Sequence, residues 1–218
     1  MRSHRVSCSS VLRRWFFMPS VMSPPIRLIV GLGNPGTEYA ETRHNAGFWF
    51  ADTLVRRFNV SFKQESKFHG QTCQVRTEGG ECWLLKPTTF MNRSGQSVSS
   101  FTKYFRIALE EILVVHDELD LEAGVVRLKQ GGGHAGHNGL RGIMSAMGGR
   151  DFWRLRLGIS RPAGAAGQSV VNYVLGRPTR AEAANIEAAI SDAGRIVGDL
   201  VAGDFQKAMH RMHSARQT

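Results

Sequence analysis

After its first 25 residues the chain alternates between strand-like and helix-like segments, and this alternation limits the fold more than any other feature. Ile26–Val30 and Ile112–Val115 are short apolar runs of the kind that forms buried strands. Between them, apolar residues from Phe48 to Phe58 recur at the spacing of one helix face. Segments that alternate in this way pack as a sheet covered by helices. We therefore predict a single α/β domain, a twisted mixed β-sheet flanked by helices, over residues 26–218.

Other local patterns locate the remaining elements of this domain. We predict a hairpin at about 70–85 and alternating strands at Val125–Lys129 and Trp153–Ile159. The first predicted helix carries Phe48, Ala51, Val55 and Phe58 on one face, and the second carries Val98, Phe101 and Phe105. Three further helices are predicted at residues 136–147, in the segment after Thr179 and at Phe205–His213. Thr179 and Glu182 have the spacing of a helix-starting capping box.

Residues 1–25 differ from the rest of the chain. They are rich in Arg and Ser, contain no acid and end in Ser23-Pro24-Pro25. A secretory signal is a poor match, because no apolar region is followed by a small-residue cleavage site. A transit peptide fits the composition, but Met18 and Met22 offer later starts. We expect an unstructured extension or a start assigned too far upstream.

The bulk composition is compatible with a polyanionic partner and equally with a surface charge that serves solubility alone. Lys and Arg number 28 against 18 acids, a formal net charge of +10, and such an excess suits nucleic acid. No apolar run reaches the roughly 18 residues of a membrane helix. The three cysteines, Cys8, Cys73 and Cys82, match no disulfide or zinc spacing. We expect reduced thiols and a cytoplasmic protein.

Gly31 to Gly36 spells G-x-G-x-x-G directly after a strand, which by itself suggests a dinucleotide-dependent oxidoreductase. Pro35 removes one of the backbone amides that would bind a pyrophosphate. The acid expected about 20 residues later, at the end of a second strand, is also missing, because Asp52 falls inside the predicted helix. We therefore keep this function only as a disfavoured alternative.

His44 and Asp117 are the strongest candidates for catalysis. His44 lies at the predicted start of the first helix, where the positive helix end would keep the imidazole neutral, as a general base requires. Asp117 follows the strand Ile112–Val115, and active sites of α/β sheets gather at the carboxyl ends of strands. A carboxylate that accepts one ring N–H fixes the imidazole tautomer. A core histidine and a solvated acidic loop remain the simpler alternatives.

Asn34, Asn92 and Asn138 stand at turns or helix starts, where an amide can cap a helix or bind a water or an oxyanion. No G-x-S-x-G nucleophile turn is present. Attack by water activated at His44 is therefore the simpler hypothesis. His134 and His137 could bind a metal, but no Cys or carboxylate lies nearby at zinc spacing. We expect neither a metal nor another cofactor.

Cations on two predicted strands suggest a phosphate-binding surface. In Val125–Lys129 the alternation places Arg127 and Lys129 on one face, and in the next strand it pairs Arg154 with Arg156. A solvated sheet face would look the same. The functional interpretation is a group of cations that binds the backbone of a nucleic acid.

Five motifs, taken together, resemble the bacterial-type peptidyl-tRNA hydrolase family. They are Leu28–Gly36, Thr42–Gly47, Lys86–Asn92, His116–Asp120 and Gly131–Leu140, and the match continues in order to the C-terminal helices. The resemblance implies a monomeric, metal-free enzyme of phosphorylase/hydrolase-like α/β fold. Such an enzyme hydrolyses the ester between a peptide and the 3′ end of tRNA and so recycles tRNA from aborted translation. A tRNA-binding module without catalysis remains the alternative.

The resemblance also implies roles for individual residues. His44 would be the base and Asp117 its orienting partner, while Asn34 and Asn92 would bind the substrate and the water. The other implied contacts are Asn138 in the loop that gates the cleft, Tyr39, Phe90 and Met91 along the cleft, and Lys129 and Arg156 on the 5′-phosphate of the acceptor stem. Ala135 stands where the loop of this family usually has Gly.

Overall fold

A computed structural model describes residues 23–162 and 170–214 of the chain. Most of the predicted N-terminal extension, together with Cys8, lies outside the described residues, so the expectation for residues 1–25 stays a prediction. The strands are β1 Leu28–Gly31, β2 Lys63–Glu65, β3 Gly70–Thr77, β4 Gly80–Pro87, β5 Ile112–Glu118, β6 Val126–Gln130 and β7 Trp153–Gly158. The helices are α1 Ala46–Arg57, α2 Ser94–Phe105, α3 Asn138–Met147, α4 Val170–Val174, α5 Arg180–Ala193, α6 Val197–Val201 and α7 Phe205–Ser214.

The strands form one mixed sheet in the order β2-β3-β4-β1-β5-β7-β6. The four central strands β4, β1, β5 and β7 are parallel, whereas β2, β3 and β6 pair antiparallel with their neighbours. The carboxyl ends of the central strands therefore share one edge of the sheet. This arrangement confirms the predicted α/β domain with a mixed sheet.

Alternate side chains of the central strands supply two cores on opposite faces of the sheet. Ile29 packs in a cluster with residues of α1, α5, α6 and α7, whereas Leu28 and Val30 pack with residues of α2 and α3. The burial of these apolar side chains, at about 25 cal/mol per Å², is the main force that holds the helices on the sheet.

Gly47 brings α1 into direct contact with the strands. A Cβ placed on Gly47 would lie 2.4 Å from both the Leu32 amide nitrogen and the Val115 carbonyl oxygen. The side chains that face the sheet are therefore those one turn and two turns along, Phe50 and Leu54, and both are fully buried. The predicted face was confirmed in part, since Ala51 is buried and Val55 and Phe58 pack against the core, but Phe48, Val55 and Phe58 are only partly buried and the centre of the face lies at Phe50 and Leu54.

Most other predicted elements are present with shifts of a few residues at their ends, and Thr179 and Glu182 form the predicted capping box. The helix predicted from Thr179 through Val197 and Leu200 was wrong in its length, because α5 ends at Ala193 and a 3-10 turn at Gly194–Ile196 separates it from α6. Strand β2 and helix α4 were not predicted. They have three and five residues, which is too short for either to show a periodic pattern.

Candidate active site

A cleft of about 630 Å³ opens at the carboxyl edge of the sheet. It is bounded by the end of β5, the glycine-rich loop (residues 131–137) and α4. Its polar lining comprises four histidines, three acids and four cations together with Asn138: His44, His116, His134, His137, Asp117, Glu118, Asp120, Lys129, Arg154, Arg156 and Arg161. Two of the predicted catalytic residues, His44 and Asp117, are thus in one cleft.

His44 and Asp117 are joined by a hydrogen bond of 2.9 Å between Nδ1 and Oδ1. His44 lies in a short helical turn just before α1, and Asp117 lies near the end of β5. Both are buried, with 8% and 4% of their surfaces exposed. A carboxylate can only accept, so Nδ1 of His44 carries the proton and Nε2 keeps its lone pair. This is the tautomer that a general base needs.

Asp117 also controls the protonation of His44. Burial alone lowers the pKa of His44, but the charge of Asp117 and its hydrogen bond outweigh this effect and leave the pKa raised. The helix end was expected to disfavour the charged ring, whereas the carboxylate of Asp117, which is closer and carries a full charge, favours it and leaves the pKa of His44 raised. Burial likewise raises the pKa of Asp117, but His44 and His137 outweigh it and hold that pKa far below its usual range.

His137 is a second partner of Asp117 that sequence reasoning did not assign to the catalytic pair. Its Nε2 lies 3.0 Å from Oδ1 of Asp117, and its Nδ1 accepts the backbone N–H groups of Gly139 and Leu140 at the start of α3. Because Nδ1 accepts, the proton lies on Nε2 and is donated to Asp117. The sequence signal for this role was a histidine directly before a predicted helix. That signal is weak, because any polar residue that caps a helix occupies the same position.

The same hydrogen bonds bear on the question of a metal. His44, Asp117 and His137 bring one possible ligand atom each to within 4.8 Å of one another. A metal on Nε2 of His137 would force the ring proton onto Nδ1, where it would face two N–H donors. The arrangement therefore favours a hydrogen-bonded triad over metal ligation.

His116 lies beneath this triad. Its Nδ1 donates to the backbone carbonyl of Asp117 at 2.7 Å, and its ring centre lies 5.0 Å from that of His137. Burial, reinforced by the neighbouring His137 and Arg154, lowers the pKa of His116 to about 3. The ring of His116 is therefore uncharged at neutral pH, and it packs beneath the triad without adding a charge to it.

Asn34 connects the turn that carries His44 to the segment before α2. Its backbone N–H donates to Oδ1 of Asn45 at 2.8 Å, and Asn45 returns a bond to the Asn34 carbonyl at 3.0 Å. The side-chain oxygen of Asn34 accepts the backbone N–H of Met91 at 2.8 Å. Since that oxygen is occupied, Asn34 has its amide N–H groups left to offer a ligand.

The remaining predicted contact residues form a second group beside the cleft. Asn92 is exposed at the start of α2, and the rings of Tyr39 and Phe90 meet edge to face at 6.4 Å. A Cβ placed on Gly139 would lie within 3.0 Å of both Met91 Sδ and His137 Cε1, so Met91 packs beside the triad. Of the predicted contacts, Asn34, Asn92, Tyr39, Phe90 and Met91 do not line the cleft that contains His44.

The predicted cations have three different environments. Lys129 is exposed at the cleft, and Arg156 donates from Nε to Oε2 of Glu118 at 2.9 Å. Arg154 is buried and donates to the carbonyl oxygens of Gly132 and Gly133 in the glycine-rich loop. Arg154 and Arg156 share one face of β7 as predicted. The loop folds over the guanidinium of Arg154, however, so its Nη groups are already used within the protein and do not form part of an open phosphate-binding group.

Comparison with known proteins identifies the family. The family model described as peptidyl-tRNA hydrolase matches residues 28–218. The peptidyl-tRNA hydrolase of Bordetella avium is 51% identical over 195 residues, 89% of this chain and 94% of that protein. That of Coxiella burnetii is 50% identical over 193 residues, 88% of this chain and 100% of that protein. The chain belongs to the peptidyl-tRNA hydrolase family.

A solved structure of the family agrees with the fold. The crystal structure of peptidyl-tRNA hydrolase from Acinetobacter baumannii superposes with a TM-score of 0.82 at 49% identity, covering 89% of this chain and 97% of that one. The predicted family and the predicted enzyme class, a hydrolase of the ester bond in peptidyl-tRNA, are thus confirmed. The alternative of a tRNA-binding module without catalysis loses its support.

The geometry of the Gly31–Gly36 segment also disagrees with the dinucleotide alternative. The amide of Leu32 donates to the Val115 carbonyl, and the amide of Asn34 donates to Asn45. These N–H groups are the ones that would bind a pyrophosphate, and they are already used within the protein. The glycines of this peptidyl-tRNA hydrolase motif instead allow close packing, since a Cβ on Gly33 would lie 2.6 Å from the Phe48 ring.

The glycine-rich loop contains one residue in an unfavourable backbone conformation. Ala135 has φ of +46°, followed by Gly136 at +82°. The left-handed region costs an L-residue about 1 kcal/mol or more relative to glycine. Ala135 therefore places strain next to the cleft.

Within the part of the chain that the structure covers, no helix is both long enough and apolar enough to cross a membrane.

Proposed function

We propose that His44 is the general base that activates water against the ester of peptidyl-tRNA, and that Asp117 orients its ring. The hydrogen bond between Nδ1 of His44 and Oδ1 of Asp117 carries this proposal, because it leaves Nε2 as the only basic ring atom. The raised pKa of His44 also strengthens the base.

In the proposed reaction a water lies between Nε2 of His44 and the ester carbonyl carbon. Nε2 removes a proton as the water oxygen attacks, and a tetrahedral oxyanion forms. The intermediate then expels the 3′-oxygen of the tRNA, which takes the proton back from the imidazolium. The products are a peptide carboxylic acid and a tRNA with a free 3′-hydroxyl.

Asparagine amides are proposed to bind the water and the oxyanion. Asn138 lines the cleft of His44. Asn34 lies beside that cleft, because its side-chain oxygen accepts the N–H of Met91, which packs beside His137, and Asn92 follows Met91 directly. Asn34, Asn92 and Asn138 each carry two N–H donors without a charge, which suits an oxyanion that appears only during the reaction. The oxygen of Asn138 already accepts Arg141 Nη2 at 2.7 Å, which directs its N–H groups away from that arginine. Tyr39, Phe90 and Met91 are proposed to contact the peptide or the terminal nucleotide.

Lys129 and Arg156 are proposed to bind the 5′-phosphate of the tRNA acceptor stem. Both line the cleft of His44. Lys129→Ala and Arg156→Ala should weaken tRNA binding and reduce its dependence on salt, because each phosphate contact releases about one counterion. Binding that keeps the wild-type affinity and salt slope in both variants would contradict this part of the proposal.

We further propose that residues 26–218 act as one domain, in a monomer that needs no cofactor and works in the cytoplasm. Cys73 and Cys82 are buried free thiols, and burial raises their pKa values to about 11 and about 12. Thiols of this kind resist oxidation and suit a reducing compartment. Sedimentation of the purified chain tests the oligomeric state.

The deciding experiment measures release of N-acetylated amino acid from tRNA by wild type and His44→Ala. We expect His44→Ala to lose about 10²–10⁴ in kcat while its circular dichroism stays that of the folded protein. His69→Asn, which changes an exposed histidine outside the cleft, is the matched control and should retain activity. Turnover of folded His44→Ala near the wild-type rate would end the assignment.

A further inference from the structure

Glu118 has both of its carboxylate oxygens occupied at the end of β5. Its Oε2 accepts Nε of Arg156 at 2.9 Å, and its Oε1 accepts the backbone N–H of Asp120 at 3.1 Å. The side chain is only 10% exposed. The carboxylate is therefore held in one orientation, and it holds the arginine in turn.

Neighbouring positions on β5 place the two carboxylates on opposite sides of the sheet. Successive side chains of a strand alternate between its faces, so Asp117 and Glu118 diverge. Arg156 of β7 lies beside His116 of β5, and it therefore shares the face of Glu118. The end of one strand thus supplies one carboxylate to His44 and the next carboxylate to Arg156.

The contact with Glu118 uses only the inner nitrogen of the guanidinium. Among residues 23–162 and 170–214, the hydrogen bond to Glu118 is made by Nε of Arg156, and neither Nη1 nor Nη2 makes a hydrogen bond. These two nitrogens form the fork that binds phosphate oxygens in pairs. An arginine fixed through Nε presents this fork with less loss of side-chain freedom on binding.

We propose that Glu118 is a positioning residue that holds Arg156 in the orientation that binds the 5′-phosphate of tRNA. This inference rests on the proposed function, since Arg156 and Lys129 must contact that phosphate for Glu118 to matter. A purely neutralising acid would have the opposite effect, because its removal would leave a stronger positive charge beside the phosphate.

The test compares two substrates, N-acetylaminoacyl-tRNA with its 5′-monophosphate and the same tRNA after phosphatase treatment. For the phosphorylated substrate we expect Glu118→Ala to raise KM about tenfold with kcat unchanged. For the dephosphorylated substrate, KM should change less than about twofold. Glu118→Gln keeps one oxygen for Nε of Arg156 but turns its NH2 group toward the N–H of Asp120, so it should recover only part of the lost discrimination between the two substrates.

Glu111→Ala is a matched control at the residue directly before the same strand. Glu111 precedes β5 and also joins an arginine to a backbone amide, with Oε2 accepting Nη1 of Arg27 at 3.1 Å and the N–H of Ala108 at 2.8 Å. Glu111→Ala should lower the free energy of unfolding about as much as Glu118→Ala does. It should leave unchanged the ratio of the KM values for the dephosphorylated and the phosphorylated substrate. In the Arg156→Ala background, Glu118→Ala should have no further effect on discrimination.

The inference is overturned if Glu118→Ala lowers KM for the phosphorylated substrate, raises KM equally for both substrates, or matches wild type. If Arg156→Ala no longer distinguishes the two substrates while Glu118→Ala distinguishes them as wild type does, the role of Glu118 is rejected and the phosphate contact of Arg156 is kept. A wild-type enzyme that does not distinguish the two substrates would reject the phosphate contact, and the inference with it.

Discussion

The imidazole of His44 and the carboxylate of Asp117 meet at 2.9 Å although 73 positions separate them in the chain. They meet because β1 and β5 are parallel neighbours whose carboxyl ends share an edge, and because Gly47 lets α1 approach that edge. The pair is a product of the sheet topology, and its electrostatics are the most direct feature to test.

Asp117→Asn should move the pH dependence of the reaction to lower pH. In wild type, Asp117 raises the pKa of His44 against burial, so the base loses its proton at a higher pH than an ordinary histidine does. Without the charge of Asp117, burial lowers the pKa of His44. The acidic limb of the plot of kcat/KM against pH therefore moves to lower pH. The maximal rate should fall by about 10²–10⁴, because the tautomer is no longer fixed. An unmoved acidic limb would show that Asp117 does not control His44.

His137→Asn should separate two roles of one histidine. Asn caps helices well but is too short to donate to Asp117, so we expect stability near that of wild type and a lower kcat. His137→Ala loses the cap as well, and its free energy of unfolding should fall by about 1 kcal/mol. Urea unfolding and the release assay measure the two effects. An equal loss of stability in both variants would contradict the capping role.

His116→Asn should make the protein less sensitive to acid. The folded pKa of about 3 lies below the ordinary 6.5, so the stability that this ring contributes is present above pH 6.5 and is lost as the pH falls toward 3. Between those values one such group gives a slope of about 1.4 kcal/mol per pH unit. Asn keeps the N–H that donates to the Asp117 carbonyl and has no titration. Urea unfolding at pH 5.5 and 4.5 should show a smaller loss in His116→Asn, and equal losses would refute the prediction.

Ala135→Gly should stabilise the protein, because glycine adopts φ of +46° without strain. Greater freedom of glycine in the unfolded chain offsets part of this gain, so we expect at most about 1 kcal/mol in the free energy of unfolding. Ala184→Gly, at an exposed position within α5, is the control and should destabilise by about 1 kcal/mol. A loss of stability in both variants would mean that Ala135 is not strained.

The sequence by itself determined the family, the α/β class, the approximate elements and the candidate residues His44 and Asp117. These properties follow from short-range patterns, such as apolar spacing, the capping box at Thr179 and motifs of five to ten residues, which can be recognised without knowing what lies across the sheet.

Only the tertiary structure decided which residues share a contact, since hydrogen bonds and burial depend on neighbours far away in the chain. It gave Asp117 a second partner in His137, reversed the expected effect on the pKa of His44 and folded the glycine-rich loop over Arg154. Each outcome depends on distances of about 3 Å between separate elements. The packing of helices on the sheet sets these distances, and no local pattern encodes them.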